Sequence, residues 1–224
     1  MGRSGRQGPV CVDKGLASTM SQTPARRPHC DRCALPLRTC LCALVTRVDN
    51  DVDVLVLQHP DEAHEAKGSV RLLHLSLARC RVVVGSAFEP ARLLELLGGD
   101  VSGCALLYPT DTAGPRPAAD SSAAPARPRR LVLLDGTWRH SAAMLRANAL
   151  LQSLPRWTIA PAAPARYRAL RKAPRATHLS TLEAACAALA DIEEAPARYA
   201  PLLAAFERFV ADGAARAGRM VAPK

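Results

Sequence analysis

The sequence lacks several features that would place it in common protein classes. No apolar run approaches the ~20 residues that a membrane-spanning helix requires, so we predict no contact with a membrane. No glycine-rich phosphate loop follows a predicted strand, which argues against a P-loop or dinucleotide-binding fold. No Ser-His-Asp set and no H-E-x-x-H pattern is evident either.

Aromatic residues are scarce, but the chain can still build a core. They make up 4% of the 224 residues, whereas hydrophobic residues make up 49%. The formal net charge is +10, and residues 1–28 hold five basic side chains and one acidic one. Positive charge therefore remains outside this segment, and polyanions such as RNA are the expected class of partner.

Cysteines are unevenly distributed along the chain. Four of the eight fall in the pattern C-x2-C-x6-C-x-C, formed by Cys30, Cys33, Cys40 and Cys42. Two close pairs joined by a short spacer predict a tetrahedral zinc site, although the adjacent His29 could replace one thiolate. Four protein ligands leave no position for a substrate, so we expect a structural role.

The alternative for these cysteines is a pair of disulfides in a secreted protein. Residues 1–28 are polar and basic and lack an apolar h-region, which favours a reducing, cytoplasmic setting. Cys80, Cys104 and Cys186 lie in apolar surroundings and are expected to be small buried hydrophobic residues rather than nucleophiles.

Composition divides the chain into three parts. Residues 1–28 are predicted to be a disordered basic tail, residues 29–45 a zinc module with four cysteine ligands, and residues 46–224 an α/β domain. Within that domain, residues 113–130 are rich in proline and alanine and predict a flexible surface insertion.

Apolar strands alternate with helical patterns through the α/β domain. The predicted strands are Val52–Leu57, Arg81–Val84, Cys104–Tyr108 and Leu131–Asp135. The predicted helices begin near Pro60, at Pro90, at Trp138 (ending before Pro155), after Ser180, and around Leu202 and Phe206. This order favours a mostly parallel sheet covered by helices on both faces, with ligands beyond the carboxyl ends of the strands.

The segment Asp135-Gly136-Thr137-Trp138 is the most distinctive strand exit. It places a carboxylate at the end of a strand, next to a glycine that permits a tight turn and close approach of a ligand. The alternative is a helix start, with Asp135 or Thr137 as the cap and Trp138 packed into the core. Both interpretations can hold together.

Two further segments carry candidate binding residues. Ser180 and Glu183 form an S-x-x-E capping box, whose backbone amides could instead hold a ligand carboxylate. Residues 155–175 contain six basic residues and no acidic one, with Trp157 and Tyr167 among them. Phosphate contacts and an aromatic stack on a base would suit RNA; the alternative is a solvated face.

Together these motifs resemble the DTW-domain family, the bacterial tRNA-uridine aminocarboxypropyltransferases. The family's D-x-T-W is matched at Asp135, and its H-P-x-E at His59. Its S-T-x-E-A is matched at Ser180, its basic stretch at residues 166–172, and its paired cysteines at residues 30–42. The likeness covers about residues 29–215, and the tail and the 113–130 insertion are the departures.

The resemblance implies an α/β fold related to the knotted SPOUT methyltransferases, with S-adenosylmethionine as donor and tRNA as partner. We interpret Asp135 as the general base and expect a monomer. Donor-binding residues would be His59, Glu62, Tyr108, Pro109, Asp135, Thr137, Trp138, Ser180 and Thr181. RNA-binding residues would be Arg166, Arg168, Arg171, Lys172 and Arg175.

Two other functions fit the same residues. One is a SPOUT-type RNA methyltransferase, which uses the same donor through its methyl group. The other is a non-catalytic zinc-containing RNA-binding protein, in which Asp135 acts only as a cap.

Overall fold

A five-stranded parallel sheet forms the centre of the molecule. The computed structural model describes residues 28–63, 69–109, 127–159 and 179–221. The strands are β1 (Asp53–Gln58), β2 (Cys80–Val84), β3 (Cys104–Leu107), β4 (Arg130–Asp135) and β5 (Arg156–Trp157). Their order is β2-β1-β4-β3-β5, and every neighbouring pair is parallel, which confirms the predicted class of fold.

Helices cover both faces of this sheet. They are α1 (Pro60–Ala63), α2 (Ser69–Ser76), α3 (Pro90–Leu96), α4 (Trp138–Ala147), α5 (Ala149–Ser153), α6 (Thr181–Ile192) and α7 (Pro196–Val221). Along β1, Val54 and Val56 join a core with α2, α6 and α7, whereas Leu55 and Leu57 join a second core with α3, α4 and α5. Burial on both faces explains why β1 is continuously apolar.

The structure differs from the predicted elements at three places. The helix predicted from Trp138 to Pro155 is broken at the buried Asn148, whose side-chain amide donates to the carbonyls of Met144 (2.6 Å) and Ser86 (3.0 Å). β5 was not predicted, and it has only two residues. Arg130, which we placed in the insertion, begins β4. Residues 113–126 of that insertion and residues 1–27 lie outside the described ranges.

Among the described helices, none combines the length and the apolar character needed to cross a bilayer.

The carboxylate of Glu193 joins α6 and α7 to the start of β1. Its side chain is 3% exposed. One oxygen accepts the backbone N–H groups of Asp51 (2.8 Å) and Val52 (3.0 Å). The other accepts the Arg198 guanidinium (2.7 Å) and the Tyr199 hydroxyl (2.5 Å). This one side chain therefore fixes the end of α6 against the amino-terminal edge of the sheet.

We expect Glu193→Ala to lower the free energy of unfolding by about 1–3 kcal/mol, because it leaves half-buried donors without an acceptor. Urea denaturation measures this change. The exposed Asp191 on the same helix supplies the matched control, Asp191→Ala. Equal unfolding free energies for the two variants would show that the Glu193 junction is not stabilising.

Candidate functional site

Three distant segments meet at the carboxyl-terminal edge of the sheet around Asp135. Gln58 ends β1 and lies in register with Asp135 at the end of β4. Gln58 donates its Nε2–H to Asp135 Oδ2 (2.9 Å), and Thr181 at the start of α6 donates its hydroxyl to Asp135 Oδ1 (2.6 Å). Both oxygens of the half-buried carboxylate therefore have a fixed orientation.

The residues after Asp135 show which alternative holds for the D-x-T-W segment. Thr137 caps α4, because its hydroxyl accepts the backbone N–H of His140 (3.2 Å). The part of the alternative that packs Trp138 into the core is wrong: Trp138 is 44% exposed, because it is the first residue of α4 and lies at the sheet edge. Its ring meets that of Tyr108 edge-on at 6.3 Å. The segment is thus both a helix start and a polar strand exit.

His59 and His140 lie next to Asp135 at this edge of the sheet. The backbone N–H of His59 donates to the carbonyl of Asp135 (2.8 Å), and the two imidazole rings stack with centroids 3.8 Å apart. A side chain on Gly136 would lie 3.0 Å from His140 Cβ and 3.4 Å from His59 Cβ. Glycine at position 136 therefore leaves room for this close approach. Glu62, one turn further along, is buried.

The predicted capping box at the start of α6 is present, and it changes the interpretation of Ser180. Its hydroxyl accepts the N–H of Glu183 (3.2 Å), while its own N–H donates to Glu183 Oε2 (2.9 Å). Because Glu183 already occupies that amide, the Ser180 N–H does not face a ligand carboxylate in this conformation. Thr181 contributes its hydroxyl, which the sequence motif alone did not indicate.

The basic segment is described only at its beginning. The five predicted RNA-binding residues, 166–175, lie outside the described ranges. Arg156 and Trp157 form β5, where the Arg156 guanidinium lies 5.4 Å from the centre of the Tyr108 ring. Trp157 is half-buried against the α6–α7 core, which does not suit the predicted stacking on an RNA base.

The four N-terminal cysteines converge as the spacing predicts. The Sγ atoms of Cys30 and Cys42 are 3.6 Å apart and those of Cys33 and Cys40 are 3.7 Å apart. Ligands on the corners of a tetrahedron at ~2.3 Å from zinc are separated by roughly 3.8 Å, whereas a disulfide needs about 2.05 Å. The geometry therefore fits a metal ion and not the disulfide alternative. His29 is exposed and is not part of the cluster.

The thiols of this cluster differ in pKa, because burial raises the pKa of Cys42 to about 12. Hydrogen bonds from the backbone N–H groups of Cys33 and Arg32 lower the pKa of Cys30 to about 6. Burial likewise raises the pKa of Cys80 and of Cys186, outside the cluster, to about 12, as expected for thiols that serve as packing groups. Cys33 also packs in the same core as α2, α6 and α7, so the cysteine module shares the core of the sheet domain.

Fold and site together define a parallel α/β domain with a polar strand edge and a metal-compatible cysteine cluster. The family model of the DTW domain matches residues 27–213. This chain belongs to the DTW domain family.

The chain is also similar to animal proteins named tRNA-uridine aminocarboxypropyltransferase 2. The Mus musculus protein is 31% identical over 85% of this chain and 65% of its own length. The Drosophila melanogaster protein is 31% identical over 81% of this chain and 73% of its own length. The Macaca fascicularis protein is 30% identical over 75% of this chain and 58% of its own length. The chain thus spans just under two thirds of the mouse protein. These animal relatives give no support to the expectation of a bacterial subgroup.

No solved structure matches the chain with significance, so the relation to SPOUT methyltransferases stays a prediction.

We expect Cys42→Ser to lose one equivalent of tightly bound zinc and to lower the melting temperature, because it removes one of four thiolate ligands. Metal analysis after gel filtration measures this loss relative to the unaltered protein. Cys80→Ser is the control, because Cys80 lies outside the cluster. Equal zinc contents in the two variants would contradict a metal site at the cysteine cluster.

Proposed function

We propose that this chain transfers the 3-amino-3-carboxypropyl group of S-adenosylmethionine to N3 of a uridine in tRNA and releases methylthioadenosine. The observation that carries the proposal is Asp135, the acid of D-x-T-W, held by two hydrogen bonds where β1, β4 and α6 meet. Membership of the DTW domain family and the names of the animal relatives support this choice of reaction.

The reaction is a displacement at carbon. The N3 lone pair of uridine forms a bond to the γ-carbon of the methionine chain, while the bond from that carbon to sulfur breaks. Its electron pair stays on sulfur, so methylthioadenosine leaves as a neutral thioether. A sulfonium activates three carbons, and in-line placement decides which one reacts. The site must therefore orient both substrates as well as remove the N3 proton.

Asp135 is the proposed acceptor of that proton. Gln58 bonds one oxygen of this carboxylate and Thr181 bonds the other, so the carboxylate is held in one orientation at the strand edge. Fixed geometry of this kind is what a general base requires.

The donor would lie along the same edge. Trp138 exposes nearly half of its surface beside Tyr108, which Pro109 follows in the sequence, and this provides an aromatic surface for a nucleobase. Thr181 and His59 bond to Asp135, Thr137 follows it in the sequence, and the backbone N–H of Glu62 donates to the carbonyl of His59. Since Glu183 occupies the Ser180 amide, this amide is not assigned to the donor carboxylate.

Zinc would serve the protein structurally. The cysteine cluster packs on the α6–α7 side of the core, and four thiolates would fill the coordination sphere of the ion. Contacts with tRNA phosphates are assigned to the basic residues 166–175, as the sequence predicts.

A two-label transfer assay tests the reaction. The protein is incubated with unmodified tRNA and with S-adenosylmethionine labelled either in the methyl carbon or in the carboxyl carbon. We expect carboxyl label, and no methyl label, to enter tRNA, because the γ-carbon carries the carboxyl end of the chain.

Methyl label alone would make the protein an RNA methyltransferase. Absence of both labels, with no binding of the donor, would favour the non-catalytic RNA-binding protein.

We expect Asp135→Asn to lower the single-turnover transfer rate by about 10²–10⁴-fold, because the amide cannot accept the N3 proton. Donor binding, measured by calorimetry, should change far less. Asp100→Asn is the control, since Asp100 precedes β3 and so lies towards the opposite edge of the sheet. A transfer rate near that of the control would exclude Asp135 as the base.

A further inference from the structure

Three potential metal ligands meet beside the proposed base, away from the cysteine cluster. Asp61 Oδ2 lies 3.6 Å from His59 Nδ1 and 3.7 Å from His140 Nε2. One ligand atom from each of the three residues falls within 4.8 Å of the other two. The histidine side chains are mostly buried, with 17% and 19% exposed, whereas Asp61 is 70% exposed. The group is therefore open to solvent on the carboxylate side.

Packing alone does not account for this arrangement. His140 Nδ1 is buried and has no hydrogen-bond partner among the described residues, which costs folding free energy. The rings stack nearly parallel, 13° apart, and a Cβ at position 136 would lie in tight contact with the Cβ atoms of both histidines. Two imidazoles are thus held side by side next to a carboxylate, and no hydrogen bond within the described part of the chain fixes the buried nitrogen of His140.

We propose that His59, Asp61 and His140 bind a divalent transition-metal ion of the Zn²⁺ or Co²⁺ type. Imidazole nitrogens with one carboxylate oxygen suit these ions, whereas Mg²⁺ and Ca²⁺ prefer oxygen ligands. On binding, one imidazole turns about its Cβ–Cγ bond. One nitrogen of each histidine ring then faces the ion, and the two rings are no longer stacked. His59 Nδ1 then exchanges its contact with the Asp61 N–H (3.3 Å) for the metal.

The proposed site differs in kind from the cysteine cluster. Three protein ligands leave at least one coordination position open, as in catalytic metal sites, whereas four thiolates close the sphere. The ion would lie at the strand edge that holds Asp135, since the N–H of His59 donates to the Asp135 carbonyl. Its open position would take water or an oxygen of a bound ligand. This metal site is independent of which group the protein transfers.

Cobalt titration of the full, metal-stripped chain tests the proposal. The first equivalent should give the intense charge-transfer absorption of cobalt bound to thiolates. A second equivalent should add weak d–d bands without charge transfer, as expected for nitrogen and oxygen ligands. Cys42→Ser should lose the first signal and keep the second.

Asp61→Ala and His140→Gln should weaken the second binding event by about 10–100-fold or more. Asp61 is exposed, so its variant is expected to fold, which circular dichroism checks. His74→Gln is the control, because the exposed His74 lies outside the group. A single cobalt equivalent in the unaltered protein, or a second event of equal affinity in all three variants, would overturn the proposal.

Discussion

The two hydrogen bonds to the Asp135 carboxylate are the constraint on which the site depends. Gln58 and Thr181 are 77 and 46 residues away from Asp135 in sequence. They meet it only because β1 and β4 are parallel and in register and because α6 begins at the same edge. A register shift of one residue would turn Asp135 to the other face of the sheet. The position of the proposed base therefore depends on the pairing of β1 with β4.

Helix α6 spans the sheet between its two edges and is anchored at both ends. At its start, Thr181 bonds to Asp135 at the carboxyl-terminal edge. Just beyond its end, Glu193 accepts the N–H groups of Asp51 and Val52, which precede β1 at the amino-terminal edge. The cysteine cluster packs in the same core as this helix. The stability of the core around α6 and the orientation of the Asp135 carboxylate are therefore linked through this helix.

Much of the fold could be predicted from sequence because buried parallel strands leave a strong local pattern. β1 and β4 are apolar runs bounded by polar residues. The short spacings between the four cysteines predict directly that these cysteines converge. β5 escaped prediction because two residues beside a proline carry no periodicity. Asn148 looks like any polar helix residue, since its bonds to Ser86 and Phe88 are non-local. The stacking of His59 on His140 is invisible for the same reason.

Hydrogen–deuterium exchange in the presence of S-adenosylmethionine would test the location of the site most directly. If the donor lies at the carboxyl-terminal edge, protection should appear in residues 108–109, 135–138 and 180–183, while the strand starts and α7 stay unchanged. Protection confined to the cysteine cluster, or to the amino-terminal edge around Asp51 and Asp100, would contradict the account.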